Sequence, residues 1–166
     1  APFLRGVGSA SSVGGQESPV AIFVDGVYIY APAGNLQSLP YIERIEVLKG
    51  PQGTLFGRNA TAGVIQIVTR DPANEPRLEA SAGYANYDTF DGSLYASTPL
   101  SETLSANLVM AGSNQKDGWG TNIVDGREVF KGWNWSVRSK LQWEPSPETR
   151  VVLAGERRGL EGVVLH

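Results

Sequence analysis

The chain has 166 residues, a formal net charge of −3 and 19% charged residues, a balance that disfavours a nucleic-acid binder working through backbone phosphates. It holds no cysteine, which excludes disulfides and thiolate chemistry, and a single histidine, His166, too little for a histidine triad or a histidine metal cluster. No stretch approaches the ~20 consecutive apolar residues of a membrane helix, and the length admits one or two domains.

The start, Ala1-Pro2-Phe3, has no initiator Met, basic segment or apolar signal core, and the chain stops within strand-like sequence at Val163-Val164-Leu165-His166. A piece of a longer protein is expected. Residues 5–18 are small and polar, with the composition of a linker. Residues 19–24 are apolar and β-branched, followed by Asp25-Gly26 and a second apolar run over 27–30. Asp-Gly between two such runs predicts a strand pair or a strand with a bulge. Asn35 can cap a short helical turn through Leu39, closed by Pro40.

Residues 42–48 read as a strand in which Ile45 and Val47 alternate with Arg44 and Glu46. A glycine-rich centre follows, with Gly50, Gly53, Gly57 and Gly63 serving tight turns and close backbone approach. Residues 51–56 suit one helical turn with Pro51 at its first position, where the missing N–H costs nothing. Val64, Ile65, Ile67 and Val68 leave only Gln66 polar between them, the pattern of a strand covered on both faces. Asp71-Pro72 ends this unit.

From Arg77 a period of two sets in. Leu78, Ala80, Ala82 and Tyr84 alternate with Arg77, Glu79, Ser81 and Gly83, and the pattern recurs over about five segments of roughly 9–11 residues, the length of a tilted strand crossing a bilayer. Connections at 86–89, 99–102 and 144–148 are short, whereas 114–132 is long, polar and rich in glycine. Short turns on one rim and longer loops opposite mark an outer-membrane barrel, with Trp133 and Trp143 at the two girdles. A soluble antiparallel sheet with one wet face also alternates, so the pattern alone leaves both open. Five strands cannot close a barrel, since bacterial barrels need about eight; as membrane strands these would begin a larger one.

The segment IERIEVLKGPQGTLFGRNATAGVIQIVTRDP, preceded in order by LRGVGS and VAIFVDGVYI, resembles the second half of the plug domain of TonB-dependent outer-membrane receptors. GYANYDTFDGSLYAS and KLQWEPSPETRVVLAGE resemble that family's first barrel strands. The resemblance implies an α+β plug sheet with short helices over residues 1–74, then antiparallel strands of an incomplete transmembrane β-barrel over 75–166, mostly β overall. It further implies a non-enzymatic transporter of the bacterial outer membrane. Such a protein takes up a scarce nutrient, most often a ferric siderophore and otherwise cobalamin, haem or a glycan, by energised displacement of the plug. The implied partners are outer-membrane lipid, the ferric siderophore and the TonB complex of the inner membrane, reached through a TonB box that this chain lacks. No cofactor and no nucleic acid are expected. The rival reading is a soluble α+β binding module with a plug-like sheet.

On the family's pattern, Arg5 and Lys49 match the basic residues that latch the plug to glutamates of the barrel wall. Lys49 stands where arginine is usual, so only a point charge remains. Both are expected to be unpaired or differently paired here. Asp25, Gly26, Gly50, Pro51, Gly53, Gly57, Arg58, Asn59 and Gly63 are expected to shape turns of the plug; GPQGTLFG lacks the spacing and terminal Lys-Ser/Thr of a phosphate loop. Tyr28, Tyr30 and Asn35 are candidates for a substrate-facing loop. Trp119, in the long loop, is read as packing in preference to a ligand contact.

Overall fold

The computed structural model describes residues 3–4, 6–8, 18–29, 39, 41–56, 60–123 and 126–162. The expectations for Arg5, Tyr30, Asn35, Gly57, Arg58 and Asn59, and for a helical turn after Asn35, lie outside these residues. The chain divides into two units, Ala1–Arg70 and Asp71–His166.

In the first unit, β1 (Phe3–Leu4) and β2 (Val7–Gly8) form a small antiparallel pair. A separate four-stranded sheet has the order β4-β3-β6-β5, from β3 (Val20–Val24), β4 (Val27–Tyr28), β5 (Ile42–Lys49) and β6 (Gly63–Thr69). The two central strands, β3 and β6, run parallel; the outer pairings are antiparallel. Central parallel strands are covered on both faces and so need apolar residues on both. Ala21 and Val64 pack with Ala60, Phe23 and Phe56 in one cluster, while Ile22, Val24 and Ile67 pack with Ile29, Leu39, Ile42 and Ile65 in another. The edge strand β5 stays largely exposed, with Ile45 and Val47 open.

Asp25 (φ 47°) and Gly26 (φ 80°) are the two central residues of the β3–β4 hairpin, the left-handed pair that Asp-Gly favours. One helical turn, α1 (Gly53–Phe56), follows β5. Pro51 lies two residues before it and not at its first position. The first turn starts later because the Gln52 amide is taken by the Ala60 carbonyl at 2.8 Å, while the Gln52 carbonyl accepts the Phe56 amide.

In the second unit, five antiparallel strands form one meander of order β13-β12-β9-β8-β7: β7 (Arg77–Ala85), β8 (Thr89–Pro99), β9 (Leu104–Gln115), β12 (Gly132–Ser146) and β13 (Thr149–Gly162). The last two, at 15 and 14 residues, outrun the 9–11 expected. Their ladder continues unbroken from Gly132↔Gly162 to Trp143↔Val151, then crosses a bulge to a two-residue turn at Pro147-Glu148. The 114–132 connection is not plain loop either. It carries the hairpin of β10 (Gly120–Thr121) and β11 (Glu128–Val129). The Lys116 and Asp117 amides bond to the Asp88 and Tyr87 carbonyls, which sets this connection on the same rim as the β7–β8 turn. The turns after Pro99 and Ser146 lie at the other strand ends.

The register sorts the side chains. Tyr95↔Val109, Ser97↔Asn107, Lys140↔Asn107 and Gln142↔Ser105 place polar groups together on one face. Ser97, Ser105, Asn107, Ser136, Lys140 and Gln142 are all buried there. The opposite face carries Leu78, Tyr84, Phe90, Leu94, Leu108, Met110, Trp133, Trp135, Trp143 and Leu153, most of them exposed. Arg157, across from Val137, interrupts it. Trp133 to Trp143 spans ten residues, roughly 33 Å along the strand. At a tilt of about 40° that is roughly 25 Å of height, the apolar band of a membrane barrel.

Candidate functional site

The glycine-rich centre of the first unit is a backbone construction. Lys49 ends β5 opposite Gly63, and the Gly50 amide bonds to the Ala62 carbonyl at 3.1 Å. Gly50 (φ 95°) and Gly63 (φ 150°) hold conformations that side chains resist. The Lys49 side chain is exposed and makes no ion pair among the described residues. Gly53 opens α1, and Pro51 is exposed before it. Tyr28 sits on the short edge strand with its ring 5.6 Å from that of Phe23. The structure thus brings Lys49, Gly50 and Gly63 together at one end of the sheet, and leaves Tyr28 elsewhere, on the opposite edge strand.

Asp25 does more than turn the chain. Its carboxylate accepts the Thr69 amide at 2.8 Å and the Thr69 hydroxyl at 2.7 Å, while its own amide donates to the Ile67 carbonyl. The hairpin is thereby clamped to the end of β6. Sequence reasoning saw only the turn, because a bond across 44 positions has no local signature.

The second unit holds a denser polar site. The Asp71 carboxylate lies between Lys140 Nζ at 2.8 Å and Arg150 Nη2 at 2.5 Å. Arg150 also donates to Gln142 Oε1 at 2.7 Å. The Asp71 carbonyl accepts the hydroxyl of Tyr95, a fully buried side chain, at 2.9 Å. Two residues on, the Ala73 amide donates to Ser97 Oγ at 2.8 Å. Burial alone would raise the Asp71 pKa, but the hydrogen bonds and charges of Lys140 and then Arg150 outweigh it and hold the carboxyl below its ordinary range. The Lys140 side chain is 4% exposed, so its ammonium has exchanged water for this carboxylate. None of Asp71, Tyr95, Lys140 and Arg150 was singled out from the sequence. The available signal was Lys140, a lysine on the polar side of an alternating strand.

Farther along the same face Glu156 joins Arg138, at 2.5 Å, and Arg158. On the rim of the long connection, Trp119 stacks on Phe130 with centroids 4.0 Å apart and planes 15° apart. Gln115 Nε2 caps the Asp117 and Phe130 carbonyls beneath them. The Gly118 amide, then Lys131, lowers the pKa of Glu128 in the same hairpin. On the apolar face a groove of about 370 Å³ opens among Leu104, Leu141, Trp143, Val151 and Leu153. Among the described residues no cluster of three acidic or histidine side chains could hold a metal.

This geometry has counterparts. Residues 1–64 match the TonB-dependent receptor plug domain model. The pesticin receptor of Yersinia pestis is 32% identical over 146 residues, 87% of this chain and 21% of the receptor. The metal-pseudopaline receptor of Pseudomonas aeruginosa strain PAO1 is 33% identical over 119 residues, 69% of this chain and 15% of the receptor. Among solved structures, the ferric yersiniabactin uptake receptor of Yersinia pestis superposes with a TM-score of 0.75 at 27% identity, covering 86% of this chain and 23% of that one. The chain therefore spans about a fifth of the length of the curated relatives it matches. A plug match in the first unit, with relatives that run on through the inside-out sheet of the second, places this chain in the TonB-dependent receptor family of the bacterial outer membrane.

Proposed function

We propose that the chain is the plug-to-barrel junction of an outer-membrane transporter that imports a ferric siderophore by energised displacement of its plug. In this reading residues 1–74 are the later part of the plug and 75–166 the first five barrel strands. The observation that carries it is the second unit's inverted face pattern. Polar side chains are buried and aromatic and aliphatic ones exposed, which suits a wall between a wet lumen and lipid. The open edges at β7 and β13 would each leave backbone groups unpaired in lipid at several kcal/mol apiece, so further strands of the parent protein must pair with them.

The cargo assignment rests on what the relatives are named for: pesticin, metal-pseudopaline and ferric yersiniabactin reception. Arg5 and Lys49 would latch the plug to acidic groups of the wall, and the inner-membrane TonB complex would supply the pull. Asp25, Gly26, Gly50, Pro51, Gly53, Gly57, Arg58, Asn59 and Gly63 would give the plug its turns. Tyr28, Tyr30 and Asn35 would face the cargo. The reading assigns the chain no catalytic role. Deleting the parent gene should abolish uptake of one radiolabelled ferric siderophore under iron limitation, with rescue by the full-length gene. Unchanged uptake of every ferric siderophore tested, with loss of some other nutrient, would replace the cargo.

A further inference from the structure

The contacts around Asp71 point to a second role within this transporter, and the inference rests on the import reading above. We infer that Asp71–Pro72–Ala73 is a fixed tether, a segment that stays bonded to the strand wall while the sheet before it moves. Arg70–Asp71 is then the boundary between moving and stationary chain.

Three observations carry this. The first is the number of independent strands that hold three residues. Asp71 bonds to Tyr95 on β8, Lys140 on β12 and Arg150 on β13, and Ala73 bonds to Ser97 on β8. Ser97 Oγ is itself tied to the Ala106 carbonyl on β9 at 3.2 Å, so all the strands from β8 to β13 along the meander take part. The second is burial. Tyr95, Ser97, Lys140 and Pro72 are all buried, so letting the segment go would leave a phenol and an ammonium without the groups that replaced their water. The third is the contrast with what holds the other side of the boundary. There Asp25 bonds to Thr69 and the Arg70 amide to the Tyr41 carbonyl, two ties made within the first unit. Load that reaches Asp71 along the chain is spread there over three strands, β8, β12 and β13. Lys140 and Arg150 act here as positioning residues, since they hold the Asp71 carboxylate.

The test uses the full-length parent receptor in its membrane. Ala73→Cys with Ser97→Cys, at positions joined by a 2.8 Å bond, staples the segment to β8 when oxidised. Ferric siderophore uptake should stay within about twofold of the reduced protein. A tenfold or greater loss on oxidation, restored by reductant, would show that the segment must leave the wall and would overturn the tether.

Hydrogen exchange of the peptide covering residues 71–76 gives the same decision without a crosslink. It should stay equally slow in resting and energised receptor while residues 20–69 speed up. Acceleration of both together overturns the proposal. Lys140→Met should speed exchange at 71–76 about tenfold, and Lys140→Arg should restore it; equal exchange in Lys140→Met and wild type would also count against it. If the wild-type parent imports no ferric siderophore, the cargo reading fails alone, because the exchange experiment needs only an energised receptor.

Discussion

The two sheets of this chain are built on opposite rules. In the first, Val20, Ala21, Ile22, Val24, Val64 and Ile67 are buried and the charges of Glu43, Arg44 and Glu46 are exposed. In the second, Ser97, Ser105, Asn107, Ser136, Lys140 and Gln142 are buried and Leu78, Tyr84, Phe90, Trp133, Trp143 and Leu153 are exposed. The hydrophobic effect drives the first arrangement wherever water surrounds the sheet. The second suits an outer solvent of lipid, which would remove the cost of the exposed apolar face and make an unpaired polar group outside expensive. The rule for which side chains are buried thus changes within the few residues between Thr69 and Arg77.

The sharpest way to break this contrast is to put a charge into each apolar set. Val64→Asp, at a fully buried site of the first sheet, should cost at least ~4 kcal/mol because the described residues packed in its cluster, Ala21, Ala60, Phe23 and Phe56, are all apolar. Protease protection of the plug region in the full-length receptor should be lost. Leu108→Arg, on the outer face midway between the two tryptophan levels, should cost roughly 2–4 kcal/mol in lipid bilayers. Folding titrations in urea with vesicles would read this, and a near-zero cost would mean that the face does not meet lipid.

The smallest effect sharpens the boundary between the regimes. Asp71 has a lowered pKa in the folded protein, so its ion pairs contribute stability that is fully present above the ordinary carboxyl pKa. That contribution is lost as pH falls through the lowered folded value. Hydrogen exchange at residues 71–76, corrected for intrinsic pH effects, should be flat from neutral pH down to the ordinary carboxylate range and rise progressively as pH falls from there through the lowered folded value. Asp71→Asn should remove that dependence.

Much of the fold was legible because it is written in local periods. The alternation beginning at Leu78 and the doubly apolar run after Gly63 report which faces are covered, and Asp25-Gly26 reports a left-handed pair that few other dipeptides accept. The limits of the strands were less legible. β12 and β13 continue past the apolar stretch because their backbones still pair beyond it, and pairing depends on a neighbour and not on the strand's own side chains. The hairpin at 120–129 escaped notice for the same reason: Gly118 and Gly120 are small where Val129 and Phe130 press against them, which only the fold reveals.

By itself, then, the sequence determined the two sheet types, the turn at Asp25-Gly26 and the change of texture near Arg77, since each follows from side-chain chemistry at spacings of one to four residues. The tertiary structure alone decided that Asp25 would clamp Thr69 and that Asp71 would be gripped by Tyr95, Lys140 and Arg150. Those partners stand 24 to 79 positions apart in the chain, and only the strand register brings them within hydrogen-bond reach. An isolated aspartate before a proline reads as a turn; between two cations on a polar wall it becomes an anchor.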